Sequence, residues 1–221
     1  MIEKQLPYKY QIYDTIKKEI LSGRYAPGDT LNERQLCEDL GISRTPVREG
    51  LQMLAQDGWL QMETYKSAVV REFDVSYLRN LSRIRSALEV CAVEDAVHYI
   101  NDGDIERLEK IQAQQSNVLL DYDDDSFILL DRKFHTQIYN LSRNDELITL
   151  LENYYDIFRL IGVQAVTASK ERRLTTLSEH QAILTALKSR DMEESVFAMR
   201  HHMRNTLENM TTHLQNRSRP Q

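Results

Sequence analysis

The sequence predicts a mainly α protein of two domains. A winged helix-turn-helix spans residues 1–73 and an all-helical bundle spans 74–221. Three observations carry this. At 221 residues the chain is longer than a single compact core usually needs. Two short helical patterns meet at a tight Gly-containing turn and are followed by two strand-like runs. Of four prolines, none lies between Pro46 and Pro220, so the second part can run as helix.

The first part divides as follows. "YQIYDTIKKEILSGRYAPGD" places Ile12, Ile16 and Ile20 on one stripe, and Gly23 with the Pro27–Gly28 turn ends that helix. "GDTLNERQLCEDLGIS" offers a second helix, with Asn32 as N-cap and Gln35 three residues on, the pattern of a capping box. Leu36 and Leu40 form its apolar side, and Gly41 closes it. Only Ile42 separates that glycine from Ser43, the expected N-cap of a third helix with Pro46 in its first turn. Asp57–Gly58 makes a turn, and "WLQMETYKSAVVREF" reads as two short strands joined by a polar tip at Thr64 to Ser67.

At roughly 100° per residue, the third helix has Arg44, Thr45, Arg48, Glu49 and Gln52 on one arc. Val47, Gly50, Leu51 and Leu54 occupy the other. The front thus carries two guanidiniums, an amide and a hydroxyl at a helix N-terminus, groups that read base edges and bind phosphate. The charge balance is unusual for such a role. The chain stands at −6, and residues 1–72 hold ten Lys/Arg against eleven Asp/Glu. Positive charge must therefore be gathered locally on one face.

The second part reads as six helices. "DVSYLRNLSRIRSALEVCAVEDAVHYI" keeps Leu78, Leu81, Leu88, Cys91, Ala92 and Ala96 near one stripe, and "NDGD" stops it. A helix from Ile105 to about Leu120 follows, and "DYDDDS" is read as an acidic loop. "FILLDRKFHTQIYNLS", "NDELITLLENYYDIFRLIGVQAV", "TLSEHQAILTALKSR" and "MEESVFAMRHHMRNTLENMTTHLQNRS" complete a bundle. Cys37 and Cys91 are read as reduced core thiols. No run resembles a signal peptide or approaches the ~18 apolar residues of a membrane span, which predicts a cytoplasmic protein with no membrane association.

Within the bundle, Asp131 and His135 lie four apart and project side by side from one helix. His180 follows Glu179, and His202 sits in the last helix. Each histidine has apolar neighbours: Phe134 and Ile138, Ile183 and Leu184, Met199 and Met203. Three imidazoles and a carboxylate turned into a core would suit Zn²⁺, Ni²⁺ or Mn²⁺. The alternative is ordinary helix-surface histidines, as His98, His201 and His213 are read.

"LSGRYAPGDTLNERQLCEDLGISRTPVREGLQMLAQDGWL" resembles the DNA-binding domain of GntR-family transcription regulators over nearly all of residues 8–72, with "SRTPVRE" the most specific segment. The resemblance implies DNA contacts from Arg34, Arg44, Thr45 and Arg48, with a wing tip in the minor groove. Ser43 and Gln52 on the recognition helix, and Lys66 at the wing tip, complete the expected DNA-binding set. Two positions depart from the family pattern. Gly50 replaces the usual Ala, at a helix cost of roughly 0.5–1 kcal/mol. Tyr65 and Ser67 stand where an Arg and a Gly are usual.

"DRKFHTQIYNLSRNDEL" and "EHQAILTALKSRDMEESVFAMRHHM" resemble the FCD effector-binding domain of the FadR subgroup. In its metal-binding members an Asp, a His four later, the His of "EH" and a His of the final helix hold one divalent ion. The matching positions are Asp131, His135, His180 and His202. "RIRSALEV" matches the first helix of that domain and places Arg85 near the effector pocket. The resemblance thus implies a homodimeric regulator, a repressor rather than an activator, on double-stranded DNA with a pseudo-palindromic operator. A small organic acid would bind the metal's open positions, shift the helices and spoil the spacing of the two recognition helices in successive major grooves. Two alternatives remain: a metal-dependent enzyme whose ion activates water, and an interaction module that has lost DNA binding.

Overall fold

Ile12, Ile16 and Ile20 recur at helical spacing, and all three are buried on the inner face of α1 (Tyr8–Leu21). The computed structural model describes residues 6–63, 67–121, 124–166 and 169–217, and the chain divides into the units Met1–Phe73 and Asp74–Gln221.

In the first unit, α1 is followed by β1 (Thr30–Asn32), α2 (Glu33–Leu40), α3 (Arg44–Gln56), β2 (Leu60–Glu63) and β3 (Ser67–Val70). The sheet runs β1-β3-β2, antiparallel throughout, with Leu31 and Met62 both opposite Ala68. Val47, Leu51 and Leu54 of α3 are fully buried, and Trp59, Leu60, Ala68 and Val70 extend that core to the sheet. The expected two-stranded wing is therefore a three-stranded sheet. β1 is three residues long with only Leu31 inward, too short to display an alternating pattern in the sequence. The wing tip, with Tyr65 and Lys66, lies outside the described residues.

Both expected caps are modified. The Asn32 side chain accepts from the N–H groups of Arg34 and Gln35, but the Gln35 amide donates to Asp39 at 2.8 Å instead of reaching back. Only half of the capping box forms. Ser43 has the extended backbone of an N-cap but makes no side-chain capping bond. Pro46 explains this, because it occupies the third helical position and has no N–H to offer. Gly41 does turn the chain between α2 and α3, at φ 65°.

Gly50 is a point of close approach. A Cβ there would lie 2.8 Å from Ile12 Cγ2 and 3.0 Å from the Lys9 carbonyl oxygen. The helix penalty of glycine is thus tied to the seating of α1 on α3. Gly50→Ala should gain about 1 kcal/mol of helix propensity and lose about 1–3 kcal/mol to overpacking against backbone and a stiff β-branched side chain. The urea midpoint of the DNA-binding unit should fall. A rise would show that α1 can retreat freely.

The second unit comprises α4 (Val75–Tyr99), α5 (Asp102–Asp121), α6 (Asp124–Leu141), α7 (Asp145–Val166), α8 (Lys170–Ser189) and α9 (Met192–Arg217). Several start earlier than the sequence suggested. "NDGD" does not only stop α4. Asn101 Oδ1 accepts from the Asp104 N–H while Asp104 Oδ2 accepts from the Asn101 N–H, each at 3.2 Å, so the segment is a reciprocal cap that starts α5. The Ser169 hydroxyl caps α8 a full turn and more before "TLSEH". Part of the acidic run lies outside the described residues, but Asp121 ends α5 and Asp124 opens α6.

The main core joins Val93 and Ala96 of α4, Leu108 of α5, Phe134 and Ile138 of α6, Ile183, Leu184 and Leu187 of α8, and Met199 and Met203 of α9. Both cysteines are free, but neither is a core thiol. Cys37 is half-buried and Cys91 is exposed. On α4 it is Ala92 and Ala96 that point inward, and Cys91 sits about 100° around the helix from Ala92. Among the described residues no helix is long and apolar enough to cross a membrane.

Candidate metal centre and nucleic-acid interface

Three helices deliver the predicted ligands to one place. α6 carries Asp131 and His135, α8 carries His180 and α9 carries His202. His135 and His180 are 0 % exposed and His202 is 3 %, and one nitrogen of each lies within 4.8 Å of the other two. His202 Nε2 is 3.2 Å from His135 Nε2, and His180 Nε2 is 3.5 Å from Asp131 Oδ1.

The far side of each ring explains its orientation. His135 Nδ1 lies 3.1 Å from Glu89 Oε2, His202 Nδ1 lies 2.8 Å from Glu179 Oε2, and His180 Nδ1 lies 3.1 Å from Gln115 Oε1. The Gln115 amide nitrogen donates to the Phe127 carbonyl, which leaves its oxygen for His180. An acceptor at every Nδ1 favours a proton on that nitrogen and leaves Nε2 as the side of each ring open to a ligand. Burial pushes His180 well below the usual histidine range, and it lowers His202 as well, against the pull of Glu179. His180 Nε2 is buried without any hydrogen-bond partner, and Nε2 of His135 and Nε2 of His202 face each other at 3.2 Å. A cation is the natural complement of that arrangement.

A second layer fixes the carboxylates. Glu89 Oε1 accepts from Arg85 Nε at 3.0 Å and from the Tyr139 hydroxyl at 2.5 Å, and Arg85 Nη2 lies 2.9 Å away. Burial opposes the charge of Glu89, but His135 and Arg85 outweigh it and hold the carboxyl far below its usual range. Glu179 receives Arg172 through both Nη groups, at 3.0 and 3.3 Å, and Asn205 at 2.7 Å. Burial again opposes ionisation, yet the bonds from His202, Asn205 and Arg172 bring Glu179 down to about 2. Phe134 stacks on His180, with centroids 4.2 Å apart.

Sequence reasoning did not assign Glu89, Gln115, Tyr139, Arg172 or Asn205 to the site. The available signals were local: Glu89 is one helical turn from Arg85, and Tyr139 is one turn from His135. Arg85 itself is 5 % exposed, engaged with Glu89, and covered by the Phe158 ring at 4.9 Å. The structure sets it against the carboxylate that orients His135.

In the first unit, Ser43, Arg44, Thr45, Arg48 and Gln52 of the α3 segment are exposed, as is Arg34 at the start of α2. Arg34, Arg44, Thr45, Arg48 and Gln52 line one groove together with Asn32, Glu33 and Glu49. Arg34 Nε pairs with Glu38 at 3.0 Å in the open, and Arg48 Nε lies 3.3 Å from Glu33. Basic and amide groups thus do gather locally on an otherwise acidic chain.

Comparison with known families matches both units. Residues 9–70 match the bacterial regulatory proteins of the gntR family, and residues 80–205 match the FCD domain.

The chain belongs to the GntR family of transcription regulators, FCD subgroup.

This GntR regulator is 30% identical over 193 residues to the uncharacterised HTH-type transcriptional regulator YdhC of Bacillus subtilis (strain 168), a match covering 87% of this chain and 86% of YdhC. It is 29% identical over 216 residues to the HTH-type transcriptional repressor RspR of Escherichia coli (strain K12), covering 95% and 93% of the two chains. Its fold matches that of E. coli McbR/YncC with a TM-score of 0.77 at 24% identity, over 95% of this chain and 99% of that one. The family binds DNA through the helix-turn-helix, and its members named here are HTH-type transcriptional regulators. The family thus answers to the transcription-regulator reading of the sequence rather than to the metal-dependent enzyme.

Proposed function

We propose that this GntR regulator is a repressor, bound as a homodimer to a pseudo-palindromic operator and released when a small organic acid enters the helical unit. The observation that carries the effector half is the convergence of three Nε2 atoms whose Nδ1 partners are already fixed. His135, His180 and His202 would hold a divalent ion through Nε2, and Asp131 through a carboxylate oxygen. Such an ion, Zn²⁺, Ni²⁺ or Mn²⁺, supplies open coordination positions for an anionic oxygen donor.

The chain's own charges support a cation there. Asp131, Glu89 and Glu179 bring three carboxylates to the cluster, and Arg85 and Arg172 bring two guanidiniums. Glu89 and Glu179 keep the Nδ1 protons in place, while Arg85 and Arg172 keep those carboxylates ionised and oriented. In the DNA-binding unit, Arg44, Thr45, Arg48 and Gln52, with Ser43 and Arg34, form the contact face, and Lys66 adds a wing contact. The name of the relative RspR supports repression as the sign.

The test uses a fluorescent duplex that the wild-type protein selects from a randomised pool. Arg44→Ala and Arg48→Ala should each weaken binding by about 1–3 kcal/mol, the worth of a bidentate guanine contact. An organic acid that releases the wild type from this duplex should fail to release His202→Ala. Normal affinity in both arginine variants would end the DNA-reading assignment. Equal release of His202→Ala would end the effector assignment.

A further inference from the structure

Acidic side chains are a liability on a surface that must approach phosphates. Glu33 nevertheless stands in the groove between α2 and α3, among Arg34, Arg44, Thr45, Arg48 and Gln52. It is no solvated bystander. The residue is 8 % exposed, and its Oε1 lies 3.3 Å from Arg48 Nε. That oxygen is shut off from solvent and forms no well-aligned hydrogen bond in the DNA-free protein. The neighbouring pair differs: Arg34 and Glu38 are 80% and 57% exposed, and a pair that open contributes little.

A carboxylate oxygen so enclosed does not reach a base edge. It can, however, take the Nε edge of Arg48. A guanidinium is a rigid planar fork, so fixing one edge also fixes the direction of the other. With Nε held inward on Glu33, the two Nη groups of Arg48 would face out of the groove. That is the presentation guanine O6 and N7 accept in the major groove.

We propose that Glu33 is a positioning residue for base recognition: it holds the Nε edge of Arg48 at the groove floor, so that the guanidinium meets DNA already oriented for a bidentate contact. On DNA the 3.3 Å approach closes to a hydrogen bond. The acid thereby gives up general phosphate attraction and gains discrimination between sequences. This rests on the DNA-reading role proposed above for Arg48.

The experiment compares two duplexes, the one the wild type selects from a randomised pool and a scrambled version of it, by anisotropy at fixed salt. Glu33→Gln should weaken binding to the selected duplex roughly fivefold or more, the coupling expected between contacting groups. Binding to the scrambled duplex should hold or tighten, because a negative charge has gone. Glu33→Asp keeps the charge but withdraws the oxygen by one methylene. It should lose selectivity with scrambled binding unchanged, and it carries the test if the Gln variant folds poorly. In an Arg48→Ala background, Glu33→Gln should leave the ratio of the two affinities nearly unchanged. An unaltered ratio in both Glu33 variants, equal losses on the two duplexes, or a full effect without Arg48 would each overturn the proposal. If Arg48→Ala alone leaves selected-duplex binding intact, the reading of Arg48 fails first, and that outcome is separately visible.

Discussion

Treating the purified protein with a chelator is expected to lower its melting temperature by roughly 5–10 °C. A ligand that binds only the native state stabilises it by about 2.7 kcal/mol at a hundred times its Kd, and a chain of this size shifts by roughly 2–4 °C per kcal/mol. Elemental analysis before treatment should find about one divalent ion per chain. His202→Ala should lose that ion, since its Nε2 lies 3.2 Å from His135 Nε2. His201→Ala should keep it. His201 is exposed on the same helix, beside Asn205 and the Phe197 ring. No metal in the wild type, or equal loss from the two neighbouring histidine variants, would reduce the cluster to packed imidazoles tied to their carboxylates.

Glu89→Ala should be the most destabilising single change in the helical unit. Glu89 is fully buried and takes bonds from Arg85, Tyr139 and His135. Its removal leaves a guanidinium that is 5 % exposed without the carboxylate it bonds, and the hydroxyl and the imidazole N–H lose their acceptor. Breaking a buried ion pair from one side costs about 3–5 kcal/mol, a large share of the stability of an ordinary domain. The double variant Glu89→Leu with Arg85→Met should be less damaging than Glu89→Ala alone, because no charge is stranded. Urea unfolding measures both. A loss under about 1 kcal/mol for Glu89→Ala would show that water or a rearranged neighbour takes over, since that is the worth of an ordinary hydrogen bond.

The helices of both units were legible because apolar residues recur at helical spacing and proline is absent where the bundle runs. β1 was not, because three residues with one inward leucine carry no periodicity, and its existence depends on pairing with β3 far along the chain. Gly50 illustrates a related limit. In sequence it is a weak helix former, whereas in space it lets the Ile12 side chain and the Lys9 carbonyl approach. At the candidate metal centre, Asp131 and His135 could be paired from spacing within one helix. His180 and His202 were candidates because apolar neighbours turn them toward the core and the FCD resemblance matched them, but only the fold brings nitrogens 67 residues apart to 3.2 Å. The anchors were hidden for a related reason: Glu89 and Gln115 hold rings that other helices carry, and Arg172 and Asn205 act only through Glu179. Cys91 was misplaced because the apolar stripe of α4 is broad, and its edge could not be located without the neighbouring helices.

The near-complete enclosure of His135, His180 and His202 also has a temporal side. Imidazoles that are 0–3 % exposed let go of an ion only when packed helices shift, and such openings draw on the stability of the bundle. An ion seated there would come and go at the pace of those excursions, however weak or strong its affinity. A chelator would strip it slowly at low temperature and quickly near the unfolding transition. In the cell the ion would be acquired about when the chain folds and kept through many rounds of operator binding. The protein would then respond to rising and falling organic acid, while remaining indifferent to momentary swings in free metal.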